Sequence, residues 1–259
     1  RTWRVDLGRA LQPGKNSIQV TFASTIPVIN RAQKKRYLKL TGVGHHRIDG
    51  SNQIRKSQCN YGWDWGPMCV TAGIWRSIRL EAIQTARLTD VAIRQDHLRK
   101  GSVALDVGCE VEQLEEMSLK ARATVSFEGE TVETAGFPIL DGSGSTRVRI
   151  GTPALWWPNV LGEQPLYEVL VELIDAGERV LDSQTRSVGL RTLELERKPD
   201  KWGETFQFTV NGKPFFAKGA NWIPADTFVT RIGREGYERL IRGAAEANQS
   251  SSRPQRASV

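Results

Sequence analysis

No run of about 18 apolar residues occurs anywhere in the 259-residue sequence, so no helix is expected to cross a bilayer. Cysteine is scarce: Cys59, Cys69 and Cys109 are the three present. An odd count at irregular spacing argues against a disulfide framework. No C-x-x-C occurs, and His45, His46 and His97, the three histidines, lie away from the cysteines. No metal site and no cofactor are therefore expected, and the thiols read as small buried or half-buried groups. Signal-peptide anatomy is missing from Arg1–Leu7, which reads as a strand already in progress, with its true start upstream. No compartment is specified by the sequence; the reading leans toward the cytoplasm. The oligomeric state is not specified either.

Positive charge is abundant. The formal net charge is +7 and the calculated pI about 9.5, a balance that can signal a polyanionic partner. The densest basic run is Arg31-Ala32-Gln33-Lys34-Lys35-Arg36, read as a solvated loop. Elsewhere Arg and Lys are interleaved with Glu and Asp, as on solvated strand faces, and no nucleic-acid module is recognisable. Nucleic-acid binding is not expected.

Strand signals dominate the first two hundred residues. Ile18, Val20 and Phe22 alternate with polar neighbours, as do Ile74, Ile78 and Leu80. A longer alternation runs Val103, Leu105, Val107, Cys109, Val111, and another runs Leu119, Ala121, Ala123, Val125, Phe127. Tyr167, Val169, Val171 and Leu173 give a further one. Period-two patterns put one face in a core and one in water. Gly- and Pro-rich punctuation separates them, and several short strands of this kind suggest β-sandwiches. Boundaries are placed near residues 85 and 192. Residues 86–191 suit an immunoglobulin-like sandwich without the Cys…Trp…Cys pattern of antibodies. Residues 1–85 are too few for a large sandwich and read as the C-terminal part of one.

The pattern changes after residue 192. Phe206–Val210 and Lys213–Phe216 flank Asn211-Gly212, a strong hairpin signal because both residues tolerate positive φ. A short strand is predicted over Phe216–Ala220 and a polar-aromatic loop over Asn221–Thr230. A helix is predicted from about Arg234, with Tyr237, Leu240, Ile241, Ala244 and Ala245 in one apolar stripe. Residues 249–259 lack periodicity and apolar content, and read as a disordered tail. Asn248-Gln249-Ser250 matches the glycosylation triplet, which is weak evidence in such a setting.

Three stretches carry the candidate chemistry. In Gly62-Trp63-Asp64-Trp65-Gly66-Pro67 two indoles flank one carboxylate. Sugar rings present apolar C–H faces and a rim of hydroxyls, which an aromatic wall and a hydrogen-bond-accepting carboxylate match. From composition alone, a buried aromatic corner with Asp64 capping backbone N–H groups is the weightier reading. Lys218-Gly219-Ala220-Asn221-Trp222-Ile223-Pro224-Ala225-Asp226 follows a strand and precedes a helix; in a (β/α) barrel that is the catalytic face, and a structural βα loop is equally open. Leu155-Trp156-Trp157-Pro158-Asn159 reads as a core or interdomain feature.

Together these stretches, with Thr71-Ala72-Gly73-Ile74-Trp75-Arg76 and Val188-Gly189-Leu190-Arg191, resemble the β-mannosidase branch of glycoside hydrolase family two. The resemblance covers roughly residues 1 to 248, in the family's order. It implies a mainly β fold: the end of a jelly roll over 1–85, an immunoglobulin-like sandwich over 86–191, and the first βα unit of a (β/α)₈ barrel over 192–248. The tail over 249–259 then falls outside the family pattern, as a frameshift or premature stop would produce. The activity implied is retaining hydrolysis of terminal non-reducing β-D-mannose from oligosaccharides. Asp64 would hold hydroxyls of that mannose, with Trp63 and Trp65 beside it. Asn221, Trp222 and Asp226 would lie at the barrel mouth. Retaining hydrolysis needs two carboxylates about 5–5.5 Å apart, which the family draws from later barrel strands. From Ala217 the sequence offers 43 residues, against about 250 for a whole barrel. No catalytic residue is therefore expected here, and the chain alone is expected to be inactive. A non-catalytic carbohydrate-binding module, or another family-two exo-glycosidase such as a β-galactosidase, are the alternatives.

Overall fold

The computed structural model describes residues 3–39, 48–97 and 101–254. His45 and His46 lie outside these residues, as do the last five of the expected tail. The chain divides into two compact units: residues 1–78 with 224–232 and 255–259, and residues 79–223 with 233–254.

The second unit is built on a seven-strand sandwich. Strands β1 (Ala86–Asp96), β2 (Val103–Gln113) and β5 (Ser143–Ile150) form one antiparallel sheet in the order β1-β2-β5. Strands β3 (Leu119–Phe127), β4 (Glu130–Pro138), β6 (Tyr167–Asp175) and β7 (Val180–Val188) form the other, in the order β4-β3-β6-β7. The expected alternations are the core. Leu105, Val107, Ala121, Ala123, Val125, Val169, Val171 and Leu173 are wholly buried. Cross-strand partners such as Val125 with Val169 and Ala121 with Leu173 share a face in register. At the β1 bulge the Leu88 N–H donates to Asp182 Oδ2 at 2.8 Å, and Gln184 Nε2 donates to the Leu88 carbonyl at 2.9 Å. Side chains of β7 thus satisfy backbone groups freed on β1.

Past Val188 the chain forms smaller sheets. Strand β8 (Leu193–Glu196) pairs with β11 (Gln207–Val210), which turns back into β12 (Lys213–Phe215), while β9 (Pro199–Asp200) and β10 (Gly203–Glu204) form a separate small hairpin. Asn211 at φ 47 and Gly212 at φ 76 make the turn that their residue types call for. Strand β13 (Gly219–Trp222), a helix (Arg234–Glu246) and β14 (Ser251–Pro254) form a β-α-β unit whose two strands pair in parallel. Two expectations shift here. The short strand lies three residues later than predicted, so Asn221 and Trp222 sit on the strand and not in the loop after it. Part of the expected disordered tail is strand: β14 finds the edge of β13, and the Ser250 N–H donates to the Lys218 carbonyl at 2.8 Å just before the pairing begins. Backbone pairing sets this order without the apolar periodicity that a single sequence displays. The described residues contain this one β-α-β unit and no closed barrel.

In the first unit the predicted strands are absent among the described residues. Ile18, Val20 and Phe22 are 48–60% exposed, and Ile74 and Ile78 are 53% and 64% exposed. Their alternation finds no neighbouring strand to pair with, so neither ladder nor buried face forms. The basic run is not a loop: helix α1 spans Ile26–Lys35. Pro27 in its first turn suits the helix start, Lys34 and Lys35 sit favourably at its negative C-terminal end, and Ile29 is its buried residue. The basic side chains of the run stay exposed, as expected.

Candidate functional site

A small polar knot in the first unit supports the Trp-Asp-Trp stretch. Tyr61 is wholly buried, and its hydroxyl donates to Thr25 Oγ1 at 2.9 Å beside the start of α1. Buried Ser51 and Gln58 satisfy one another: Ser51 Oγ donates to Gln58 Oε1 at 3.0 Å, and Gln58 Nε2 donates to the Ser51 carbonyl at 2.6 Å. Gln53 Nε2 donates to Gln33 Oε1 at 2.9 Å. Gly50, at φ 79, approaches α1 so closely that a Cβ there would lie 2.9 Å from Ile29 Cγ2. Buried polar groups paired in this way fix one arrangement, since each lost partner leaves a costly orphan.

From this base the chain enters a tight reversal. The Trp63 N–H donates to the Gly66 carbonyl at 3.2 Å and the Gly66 N–H returns to the Trp63 carbonyl at 3.3 Å. Asp64 and Trp65 occupy the tip. Asp64 is exposed, and no hydrogen bond to it is found among the described residues. The alternative in which Asp64 caps backbone N–H groups therefore does not hold. Trp63 and Trp65 are half-buried, with ring centres 6.0 Å apart and planes inclined by 41°. Trp65 Nε1 is buried without a hydrogen-bond partner. An exposed, accepting carboxylate and two half-buried indoles stand together on one turn. Such a set matches a ligand with hydroxyls around an apolar ring.

The other predicted residues have different surroundings. Asn221 is exposed on β13. The Trp222 ring stacks on Tyr237 of the Arg234–Glu246 helix, with centres 6.4 Å apart and an interplanar angle of 25°. Asp226, in the first unit, accepts from the Phe228 N–H at 2.7 Å and pairs with Arg231 at 2.9 Å. The Arg231 hydrogen bond, followed by the Phe228 N–H, holds its carboxyl below the usual carboxylate range. Asp226 is thus committed to its own loop, whereas Asp64 is not.

Trp156 and Trp157 are structural, as their place in the sequence suggested. The Trp156 N–H donates to the Leu190 carbonyl at 2.9 Å, and Arg191 lies 4.5 Å over its ring. Asn211 Nδ2 donates to the Trp156 carbonyl at 3.0 Å, while its Oδ1 accepts from the Thr192 N–H at 3.0 Å. Asn211 therefore shapes a turn and also ties the sandwich to the sheet after it. The Asn-Gly signal revealed the first role and not the second.

Two family descriptions match the chain: "Glycosyl hydrolase 2 galactose-binding domain-like" over residues 1–76 and "Glycosyl hydrolases family 2" over residues 86–191. The chain belongs to glycosyl hydrolase family 2. Beta-mannosidase B of Aspergillus niger is 36% identical over 259 residues, covering 98% of this chain and 30% of that protein. Beta-mannosidase B of Aspergillus fumigatus is 37% identical over 244 residues, covering 92% of this chain and 28% of that protein. Among solved structures, the Beta-D-Mannosidase of Dictyoglomus thermophilum is 33% identical with a TM-score of 0.78, over 87% of this chain and 28% of that one. The β-glucuronidase of Bifidobacterium dentium shares the fold at a TM-score of 0.54 and 21% identity, over 66% of this chain and 27% of that one. This family-2 chain spans about 28–30% of the length of these curated relatives.

Proposed function

We propose that this chain is part of a retaining exo-β-mannosidase that releases terminal non-reducing β-D-mannose, and that Asp64 holds hydroxyls of that sugar between Trp63 and Trp65. The observation that carries the reading is the exposed, uncommitted carboxylate between two half-buried indoles. Relatives named as β-mannosidases support the sugar class. Asn221 and Trp222 are proposed as further sugar-contacting residues of the complete enzyme, each offering an exposed amide or a supported indole. Asp226 is proposed to shape its loop through Arg231. The two carboxylates of retaining chemistry are proposed to lie outside these 259 residues, so the chain by itself does not turn over substrate. Glu235, Glu238 and Glu246 lie on the helix after β13, and Glu238 is already paired with Arg242.

Two measurements test this. Purified chain is incubated with an aryl β-mannoside; hydrolysis well above background overturns the inactive reading. Calorimetric titration with mannose or mannobiose, repeated with Asp64→Ala, is expected to show weak binding that the substitution abolishes. Equal binding by both proteins removes Asp64 from the site. Asp64→Ala is also expected to leave stability within about 0.5 kcal/mol, as for an exposed residue without partners.

A further inference from the structure

Asn159 has no counterpart in the sugar-site reading, yet its side chain makes two bonds to backbone more than eighty residues away. Nδ2 donates to the Ala245 carbonyl at 3.0 Å and to the Gln249 carbonyl at 3.2 Å. Ala245 lies in the last turn of the Arg234–Glu246 helix, and Gln249 lies three residues past its end. That turn already carries a two-bond cap: the Asn248 N–H donates to the Ala245 carbonyl at 3.0 Å, and the Gln249 N–H donates to the Ala244 carbonyl at 3.1 Å. Asn248 stands at φ 57, the left-handed position such a cap requires. Asn159 adds a second donor to the Ala245 carbonyl and reaches the Gln249 carbonyl just past the helix.

The next residue passes the constraint to the strands. The Ser250 N–H donates to the Lys218 carbonyl at 2.8 Å, and the Lys218 N–H donates to Ser250 Oγ at 3.0 Å. One residue further, Gly219 pairs with Ser251, and the register continues to Asn221 with Arg253. At its other end Asn159 projects from a loop tied to the sandwich by the Trp156 N–H on Leu190 and closed on itself by the Trp157 N–H on the Glu163 carbonyl at 2.9 Å. The helix between the strands has no fully buried residue. A two-stranded parallel pair with so little apolar burial is marginal by itself, which gives a polar clamp at its corner leverage.

We propose that Asn159 is a positioning residue: it anchors the corner of the β-α-β unit to the sandwich and thereby fixes the strand that carries Asn221 and Trp222. Its consequence for the sugar site rests on the proposed role of those two residues; the anchoring does not.

The experiment uses the full chain and no sugar, so its outcome is independent of whether Asp64 binds mannose. Amide hydrogen exchange is followed by mass spectrometry for wild type, Asn159→Ala and Asn159→Asp. Two hydrogen bonds of ordinary net strength correspond to roughly tenfold in an opening equilibrium. Peptides covering 219–222 and 250–253 are expected to exchange about tenfold faster in Asn159→Ala by that conversion. Asn159→Asp should do at least as much, because a carboxylate cannot donate to two carbonyls. The Trp222 indole resonance, assigned with Trp222→Phe, should move in both variants. Adding Asn248→Gly to Asn159→Ala relieves the left-handed position and should return part of the protection. Unchanged exchange in 219–222 and 250–253 overturns the proposal. Equal acceleration in β3 and β6 overturns it too, since that would make Asn159 a general stabiliser and not a local anchor.

Discussion

In the sandwich, each strand has a hydrogen-bonded neighbour, and a second sheet covers its apolar face. In residues 3–39 and 48–78, extended segments of similar composition have neither, and their apolar side chains stand open. What order exists there comes from a different source: one helix, two short 3₁₀ turns, and the knot around Ser51, Gln58 and Tyr61. The contrast shows that alternation is a request for a partner. Apolar surface contributes in proportion to the area removed from water, and a strand with one open face and no ladder removes little.

Matched truncations in the two regions give the largest effect and test the contrast directly. Leu173 is wholly buried in the sandwich core. Leu173→Ala is expected to cost about 2–5 kcal/mol, the range for a large-to-small change in a close-packed interior. Ile18, 60% exposed, should lose less than about 0.5 kcal/mol on the same truncation. Urea unfolding followed by circular dichroism measures both. A cost at Ile18 approaching that at Leu173 would mean that the first unit owns an apolar core in solution, and the comparison would fail.

A smaller effect sharpens the other side of it. Gly50 is held at φ 79 with its missing Cβ position 2.9 Å from Ile29 Cγ2. Gly50→Ala puts a Cβ at a positive-φ position and against Ile29, at a combined cost of about 1–3 kcal/mol. If the first unit is organised by its knot, the loss stays local. Amides of α1 should exchange faster while those of β2, β3 and β6 keep their wild-type rates. Acceleration in both regions would show that the two fold as one cooperative block.

Legibility followed the same division. The sandwich strands could be read because burial of every second residue writes its period into the chain, as at Val103, Leu105 and Val107. The Asn211-Gly212 turn could be read because few residue types tolerate its angles. The strand at Gly219–Trp222 was placed three residues early, since Phe216 looks like strand core but is 81% exposed. Strand Ser251–Pro254 left no trace, because a serine-rich stretch carries no apolar alternation and its pairing with β13 is a matter of backbone groups. Of the candidate site, the grouping of Trp63, Asp64 and Trp65 was evident from adjacency in the sequence. That Asp64 is uncommitted while Asp226 is consumed by Arg231 was not, because both appear simply as an aspartate near an aromatic residue. Asn159 was equally silent: its partners are backbone carbonyls, which no residue type announces.

The smallest expected effect separates two turns, one in each unit, that both rest on an aspartate. Asp175 closes the β6–β7 turn by accepting from the Arg179 N–H and the Gly177 N–H, each at 2.9 Å. The Arg179 N–H is the larger cause of its lowered pKa, with Gly177 and the Arg179 charge adding to it. Asp226 is lowered first by the Arg231 side chain and then by the Phe228 N–H. Each carboxyl titrates below the unfolded value of about 3.9, so each contributes to stability above that pH and loses its contribution as pH falls through the folded value. Salt should tell them apart. At 1 M ionic strength charges are screened beyond about 3 Å, which weakens a guanidinium partner more than backbone N–H donors. Carboxyl ¹³C shifts followed from pH 5 to pH 2 should show the Asp226 midpoint rising with added salt more than that of Asp175. Equal movement would mean that the Arg231 side chain holds Asp226 no more strongly than the Arg179 side chain, 3.1 Å from Asp175 Oδ2, holds Asp175.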